Sequence, residues 1–153
     1  MNDLTLSVVR PVPSEYHAKV WDKLFRAWRD QIKPDFSGLV QVSFVSRARM
    51  KEFYSQAYGE DHATDVLSLR HTVQPGVEGA VAGEIVICSA VARIAARRLK
   101  TDAQTEFATL FVHGLLHLSD LTHDEPDEQD RFHKLTHDIM ATQSLRAISL
   151  WSA

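Results

Sequence analysis

The sequence predicts a single α+β domain over residues 1–153, with about four strands in a mixed sheet packed against about five helices. Short runs that alternate apolar and polar residues are interspersed with longer stretches of helical apolar spacing. No internal repeat, low-complexity tract or linker divides them, and 153 residues suffice for one continuous core.

Leu4-Thr5-Leu6-Ser7-Val8-Val9 alternates and stops at Pro11, which reads as a strand. Ser14 is placed to cap a helix running to about Ile32. Its Val20, Leu24, Trp28 and its Phe25, Ile32 recur at helical spacing, and Pro34 follows. Val40 to Val45 is the clearest strand. Ser46 caps a short helix through about Tyr58, closed by Gly59. Asp65 to Leu69 is a third strand, and residues 72–82, with Pro75, Gly76 and Gly79, form a loop. Gly83 to Cys88 is a fourth strand. Ser89 caps a helix to Lys100, Thr101 or Asp102 opens the next to about Ser119, and a last helix runs from Pro126 past Met140 toward Leu150.

Composition narrows the function classes. With 17 Lys+Arg against 20 Asp+Glu the formal charge is −3, so any nucleic-acid-binding surface must be local. A single cysteine, Cys88, cannot form an internal disulfide, and it reads as a buried, inert thiol. The start MNDLTLSVVRPVP lacks the basic and apolar regions of a signal peptide. No apolar run approaches the ~18 residues of a membrane span. The expected location is the cytoplasm, with no membrane partner. Trp21, Trp28 and the phenylalanines recur at core spacing, without the aromatic interleaving of a base-stacking platform.

Histidine carries the chemistry. His113 and His117 are four apart and therefore share one helix face. His123 follows after Ser119-Asp120-Leu121-Thr122, enough chain to end the helix and bring back a third nitrogen. Three neutral imidazoles suit one zinc ion and leave a fourth position for water, whose pKa zinc lowers toward ~7. Nickel, copper or iron would also accept this donor set. The surrounding run, Phe107 to Leu118, is so apolar that uncoordinated imidazoles would be costly to bury there. A second pair, His133 and His137, lacks a third ligand and lies in a charge-rich helix, so it is not expected to bind metal. Gly114 occupies the place of the glutamate in an HExxH peptidase, and a glycine inside a helix points to packing or access. Glu106 falls on the face of His113, and Asp120 and Asp124 flank the turn, but spacing alone does not single out a general base.

His113-Gly114-Leu115-Leu116-His117-Leu118, closed by His123, resembles the HGxLHLxGYDH signature of the YbeY endoribonucleases. Asp61 to Leu69 is similar to that family's DxxTDVLSF segment, and Gly83 to Cys88 to its GDIxI strand. The resemblance spans roughly residues 40–140. It implies a zinc-dependent, single-strand-specific endoribonuclease of 16S ribosomal RNA maturation and ribosome quality control, acting with the small ribosomal subunit. It also implies that His113, His117 and His123 are metal ligands and catalytic residues. The sequence departs from the pattern at Asp120-Leu121-Thr122, where the family has Gly-Tyr-Asp. It departs again at Tyr58, where the family has an arginine, and at Arg70, where it has proline. Arg70 is thereby a candidate replacement clamp on the scissile phosphate.

Arg93, Arg97 and Arg98 crowd one helix. They form either a solvated face suited to a helix C-terminus or a basic wall that grips RNA phosphates. Thr64 and Ser68 are candidate substrate contacts beside the metal, with Val66, Leu67 and Leu69 in the core. Two other readings keep the fold. One is a zinc hydrolase of another substrate class, a peptidase or amidase; the other is a non-catalytic ribosome-assembly factor that retains the metal.

Overall fold

The computed structural model describes residues 3–145. Its elements are β1 (Leu4–Val8), α1 (Ala18–Ile32), β2 (Gly38–Val45), α2 (Arg47–Tyr58), β3 (Val66–Arg70), β4 (Val81–Cys88), α3 (Ser89–Arg98), α4 (Ala103–Leu118) and α5 (Pro126–Ala141). The strands form one sheet in the order β1-β2-β4-β3. β2 runs parallel to β1 and to β4, while β3 is antiparallel to β4 at the edge. The sheet is thus mixed, and the α+β expectation holds.

Alternation sorts the strand side chains onto two faces. Ile85 and Ile87 of β4 join Val40 and Val42 of β2 under α1, α4 and α5, where Trp21, Leu24, Trp28, Phe111, Leu115 and Phe132 complete the main core. Val86 and Cys88 turn the other way, join Leu67 of β3, and receive α2 through Met50. β4 is covered on both faces, which explains its almost unbroken apolar run. Cys88 is a free, buried thiol, as expected.

α4 is the central helix: thirteen of its sixteen residues are buried. Its N-terminus is fixed by Asp102, whose carboxylate accepts from the Thr105 backbone N–H at 2.8 Å, so Asp102 rather than Thr101 is the cap. Along its length two glycines let helix and sheet approach. A Cβ at Gly114 would lie 2.8 Å from Ile85 Cγ2 and 3.1 Å from Ser68 Oγ. A Cβ at Gly83 of β4 would lie 2.9 Å from Leu118 Cδ1. The expectation that Gly114 serves packing is met, and the Ser68 hydroxyl seals the contact by donating to the Gly114 carbonyl at 3.0 Å.

Several boundaries move for physical reasons. α1 starts at Ala18, capped by His17 without a side-chain bond, and not after Ser14. The preceding segment is held elsewhere: the Glu15 carboxylate takes a two-pronged bond from Arg93, at 2.6 and 2.9 Å, and Tyr16 packs edge-on to Trp21. β4 starts at Val81, two residues into the expected loop, because Val81 pairs with Leu39 and the Ala82 carbonyl accepts from His71 N–H. α3 takes Cys88 as its N-cap, with Ser89 already helical. α5 continues past Met140 as far as Ala141 and then closes in a turn, short of Leu150, which with the rest of residues 146–150 lies outside the described range.

Gly114→Ala tests the helix–sheet contact. Overpacking costs about 1–3 kcal/mol, against a helix-propensity gain of ~1 kcal/mol, so the variant is expected to lose about 1 kcal/mol. Urea denaturation measures it; an unchanged or higher midpoint would mean that the sheet leaves room for a side chain.

Candidate metal centre

The chemistry-bearing histidines are brought together by the C-terminal end of α4 and the turn after it. His113 and His117 project one turn apart, with Nε2 to Nε2 at 2.9 Å. Beyond Leu118 the chain closes the helix with paired bonds, from Asp120 N–H to the His117 carbonyl and from Leu121 N–H to the Leu116 carbonyl. This closure needs a left-handed residue, and Asp120 supplies it at φ 64°. Aspartate is one of the few side chains that visits that region, so the turn forms although the family's glycine is missing. Trp28 Nε1 donates to Ser119 Oγ at 2.8 Å, and Thr122 donates to Glu128 of α5, which tie the turn to two helices.

The turn delivers two things. The Leu121 carbonyl lies 3.1 Å from His117 Nδ1, where it accepts a hydrogen bond from the ring N–H, so that Nε2 is the nitrogen left to ligate. His123 returns with its ring 5.3 Å from that of His113 and 5.0 Å from that of His117. One donor atom from each of the three residues lies within 4.8 Å of the others, a cluster able to hold a metal ion. Burial favours the neutral form of His113 and His117, the form that ligates. His113 is pushed down to about 2 by burial first and then by His117, His123 and His133. His117 is shifted the same way, again mainly by burial. The residues present therefore fit a transition metal that accepts imidazole nitrogen.

Phe132 of α5, which sequence spacing did not single out, contacts all three imidazoles, with ring centroids 4.8, 5.0 and 5.1 Å away. It is a lone aromatic in the charged stretch Pro126 to Lys134, and that isolation is the signal that could have marked it. On the same helix His137 is exposed, while His133 comes within electrostatic reach of His113.

A cavity of about 400 Å³ opens on His113 and His117 and is lined further by Thr64, Asp65, Ser68, Tyr54 and Tyr58. Thr64 and Ser68 both belong to its lining. Ser68 already donates to Gly114, and the Thr64 hydroxyl lies 3.4 Å from Asp65 Oδ1. Arg70 is not brought into this cavity. It lines a neighbouring one of about 600 Å³ with Phe36, His71 and Asp120. Its guanidinium stacks 4.0 Å over the Phe36 ring and donates to the Leu118 carbonyl at 2.9 Å, at the end of α4. Arg93 is occupied by Glu15, whose carboxyl it holds below the usual range. Arg97 and Arg98 are exposed in the last turn of α3, and Arg98 acts electrostatically on Asp65 and Glu106.

Glu106 is fully buried two turns before His113, and neither carboxylate oxygen has a hydrogen-bond partner among the described residues. Burial, reinforced by Asp65, pushes its carboxyl up to about 7, against an opposing pull from Arg98. Asp65 is itself raised by burial, although the Val66 N–H donates to it at 2.8 Å.

A mixed sheet, with three histidines gathered by its central helix and the following turn, defines an α+β domain with a cluster able to hold a metal ion. The chain matches the family model described as Endoribonuclease YbeY over residues 8–144, and it belongs to that family. The solution structure of TM1509 from Thermotoga maritima has a similar fold, with a TM-score of 0.58, 21% identity and 91% of each chain covered.

Two outcomes follow. His113→Ala, His117→Ala and His123→Ala should each lose most of whatever transition metal the wild-type protein takes up, whereas exposed His137→Ala should retain it; metal analysis after dialysis reads this directly. For Glu106 the unfolded chain releases its proton near 4.5 and the folded chain near 7. Its contribution to stability is therefore full below the unfolded value and is lost as pH rises through the folded one. Glu106→Gln should gain on wild type by on the order of 3 kcal/mol between pH 5 and pH 8. Denaturation at both pH values checks it, and a difference that does not change with pH would contradict it.

Proposed function

We propose that this protein is a zinc-dependent, single-strand-specific endoribonuclease that matures 16S ribosomal RNA and serves ribosome quality control in the cytoplasm, on the small ribosomal subunit. The observation that carries this reading is the convergence of His113, His117 and His123 into one donor cluster, two of whose members line a cavity, in a chain of the YbeY endoribonuclease family. When bound, zinc would supply Lewis-acid stabilisation of phosphoryl charge and a more acidic water. In this reading His113, His117 and His123 hold the ion. The Leu121 carbonyl and the Phe132 ring fix the imidazoles, and Thr64 and Ser68 meet the ribose-phosphate chain along the β3 wall. Among the described residues no helix is long and apolar enough to cross a membrane.

Phosphate attraction falls to Arg97 and Arg98, because the guanidinium groups of Arg70 and Arg93 already have partners. These cations position the strand without reading its bases. Arg70 has a double test. As a phosphate clamp, Arg70→Ala would lower turnover more than binding and leave stability intact; as an anchor of the α4 terminus, it would lower stability first. The peptidase alternative lacks a carboxylate beside the first ligand, since a Cβ at Gly114 would already meet Ile85.

The deciding experiment measures zinc content and cleavage of single-stranded and duplex RNA on one sample, with and without chelator, beside a casein control. Cleavage of the single strand that is abolished by chelator and restored by zinc is expected. Intact RNA with cleaved casein would overturn the reading. Arg97→Gln combined with Arg98→Gln should weaken binding of every single-stranded RNA alike and flatten its salt dependence, which a filter-binding salt titration measures.

A further inference from the structure

The cavity that opens on His113 and His117 is also lined by two aromatic rings. Tyr54 and Tyr58 sit one turn apart on α2 and line the same cavity as His113, His117, Thr64 and Ser68. Their ring centroids are 4.8 Å apart, and the His62 ring meets Tyr54 edge-on at 5.2 Å. Tyr54 is anchored on the small core of Met50, Leu67, Val86 and Cys88. Tyr58 leans on it and remains 57% exposed, the most exposed large hydrophobic side chain described.

Fold stability does not account for this arrangement, since an aromatic ring gains little by standing in water at the last turn of a helix. It does suit a ligand with a flat apolar face and a polar backbone. The polar wall of the cavity, with its imidazoles and hydroxyls, matches a sugar-phosphate chain; the tyrosine ring matches a nucleobase. Stacking of a base on an aromatic side chain contributes ~1–3 kcal/mol and tolerates any base, because every base has a π-face. In a duplex those faces are already covered by neighbouring bases, so such a surface favours single strands.

We propose that Tyr58, backed by Tyr54 and His62, is a stacking platform for one unpaired nucleobase next to the phosphate at the three-histidine cleft. The proposal rests on the endoribonuclease reading and adds the physical source of its strand selectivity. Tyr58 acts there as a substrate-binding group and takes no part in bond cleavage.

The test compares wild type, Tyr58→Phe and Tyr58→Leu as zinc-loaded full-length proteins. The substrates are a single-stranded RNA oligonucleotide, the same oligonucleotides each with one abasic position scanned along the strand, and a duplex. Tyr58→Phe keeps the ring and should leave KM within about twofold of wild type. Tyr58→Leu keeps an apolar side chain, removes the ring, and should raise KM for the single strand about 5- to 100-fold with kcat nearly unchanged. One abasic position should raise the wild-type KM to a similar degree and add little further in Tyr58→Leu, because both changes remove the same stack. A 2-aminopurine at that position should lose fluorescence on binding to metal-free wild type and to Tyr58→Phe, and keep it with Tyr58→Leu. Equal thermal midpoints exclude a folding defect. Wild-type cleavage with an unaltered KM in Tyr58→Leu would overturn the platform and leave the endoribonuclease reading standing. Wild type that neither binds nor cleaves RNA would overturn both.

Discussion

The close approach of α4 to the sheet governs the rest of the molecule. A helix normally keeps its neighbours at side-chain distance, but here Gly114 lies directly over Ile85 and Ser68, and Gly83 lies under Leu118. This double absence of side chains lets the helix settle between α1, α5 and β4 with nearly every residue buried. It also sets depth. His113 sits immediately before the contact and His117 one turn beyond it, so both imidazoles are sunk into the cleft beside β3. Arg70, Trp28 and Ser119 then secure the helix end, from which the turn carries His123 back.

Burial has a second consequence, which is electrostatic. Desolvation penalises whichever form carries charge. For His113 and His117 it favours the neutral imidazole, the form that ligates. For Glu106, two turns earlier on the same helix, it favours the protonated acid and holds it near neutrality in its titration. One buried helix thus lowers the basicity of its histidines and raises the pKa of its glutamate by the same mechanism. Asp102, at the exposed end of that helix, moves the opposite way because backbone N–H groups bond to its charged form.

Much of the fold was legible because strand alternation, helical spacing and capping are local. Ser46 caps α2 by accepting from Arg49 N–H, as its position suggested, and Gly59 ends it with φ 72°. Two of the misplaced boundaries share a cause. Ser14 is a good cap by composition, yet Glu15 beside it is drawn to Arg93, 78 positions away in the chain. Val81 and Ala82 look like loop because Gly79 precedes them, yet β2 offers a strand edge to pair with. In each case a distant partner outweighed a weak local preference.

The sequence by itself determined the α+β class, the single reduced cysteine and the histidine triplet, because spacing of 113 and 117 on one helix already implies a shared face. Only the tertiary structure decided which guanidinium groups are engaged, since Arg93 finds Glu15 and Arg70 finds the Leu118 carbonyl across the fold. Only the tertiary structure, likewise, brought Phe132 from α5 onto the imidazoles and turned Tyr54 and Tyr58 toward the same cavity. Ring contacts between elements have no local period in the chain; they arise only when one helix docks beside another.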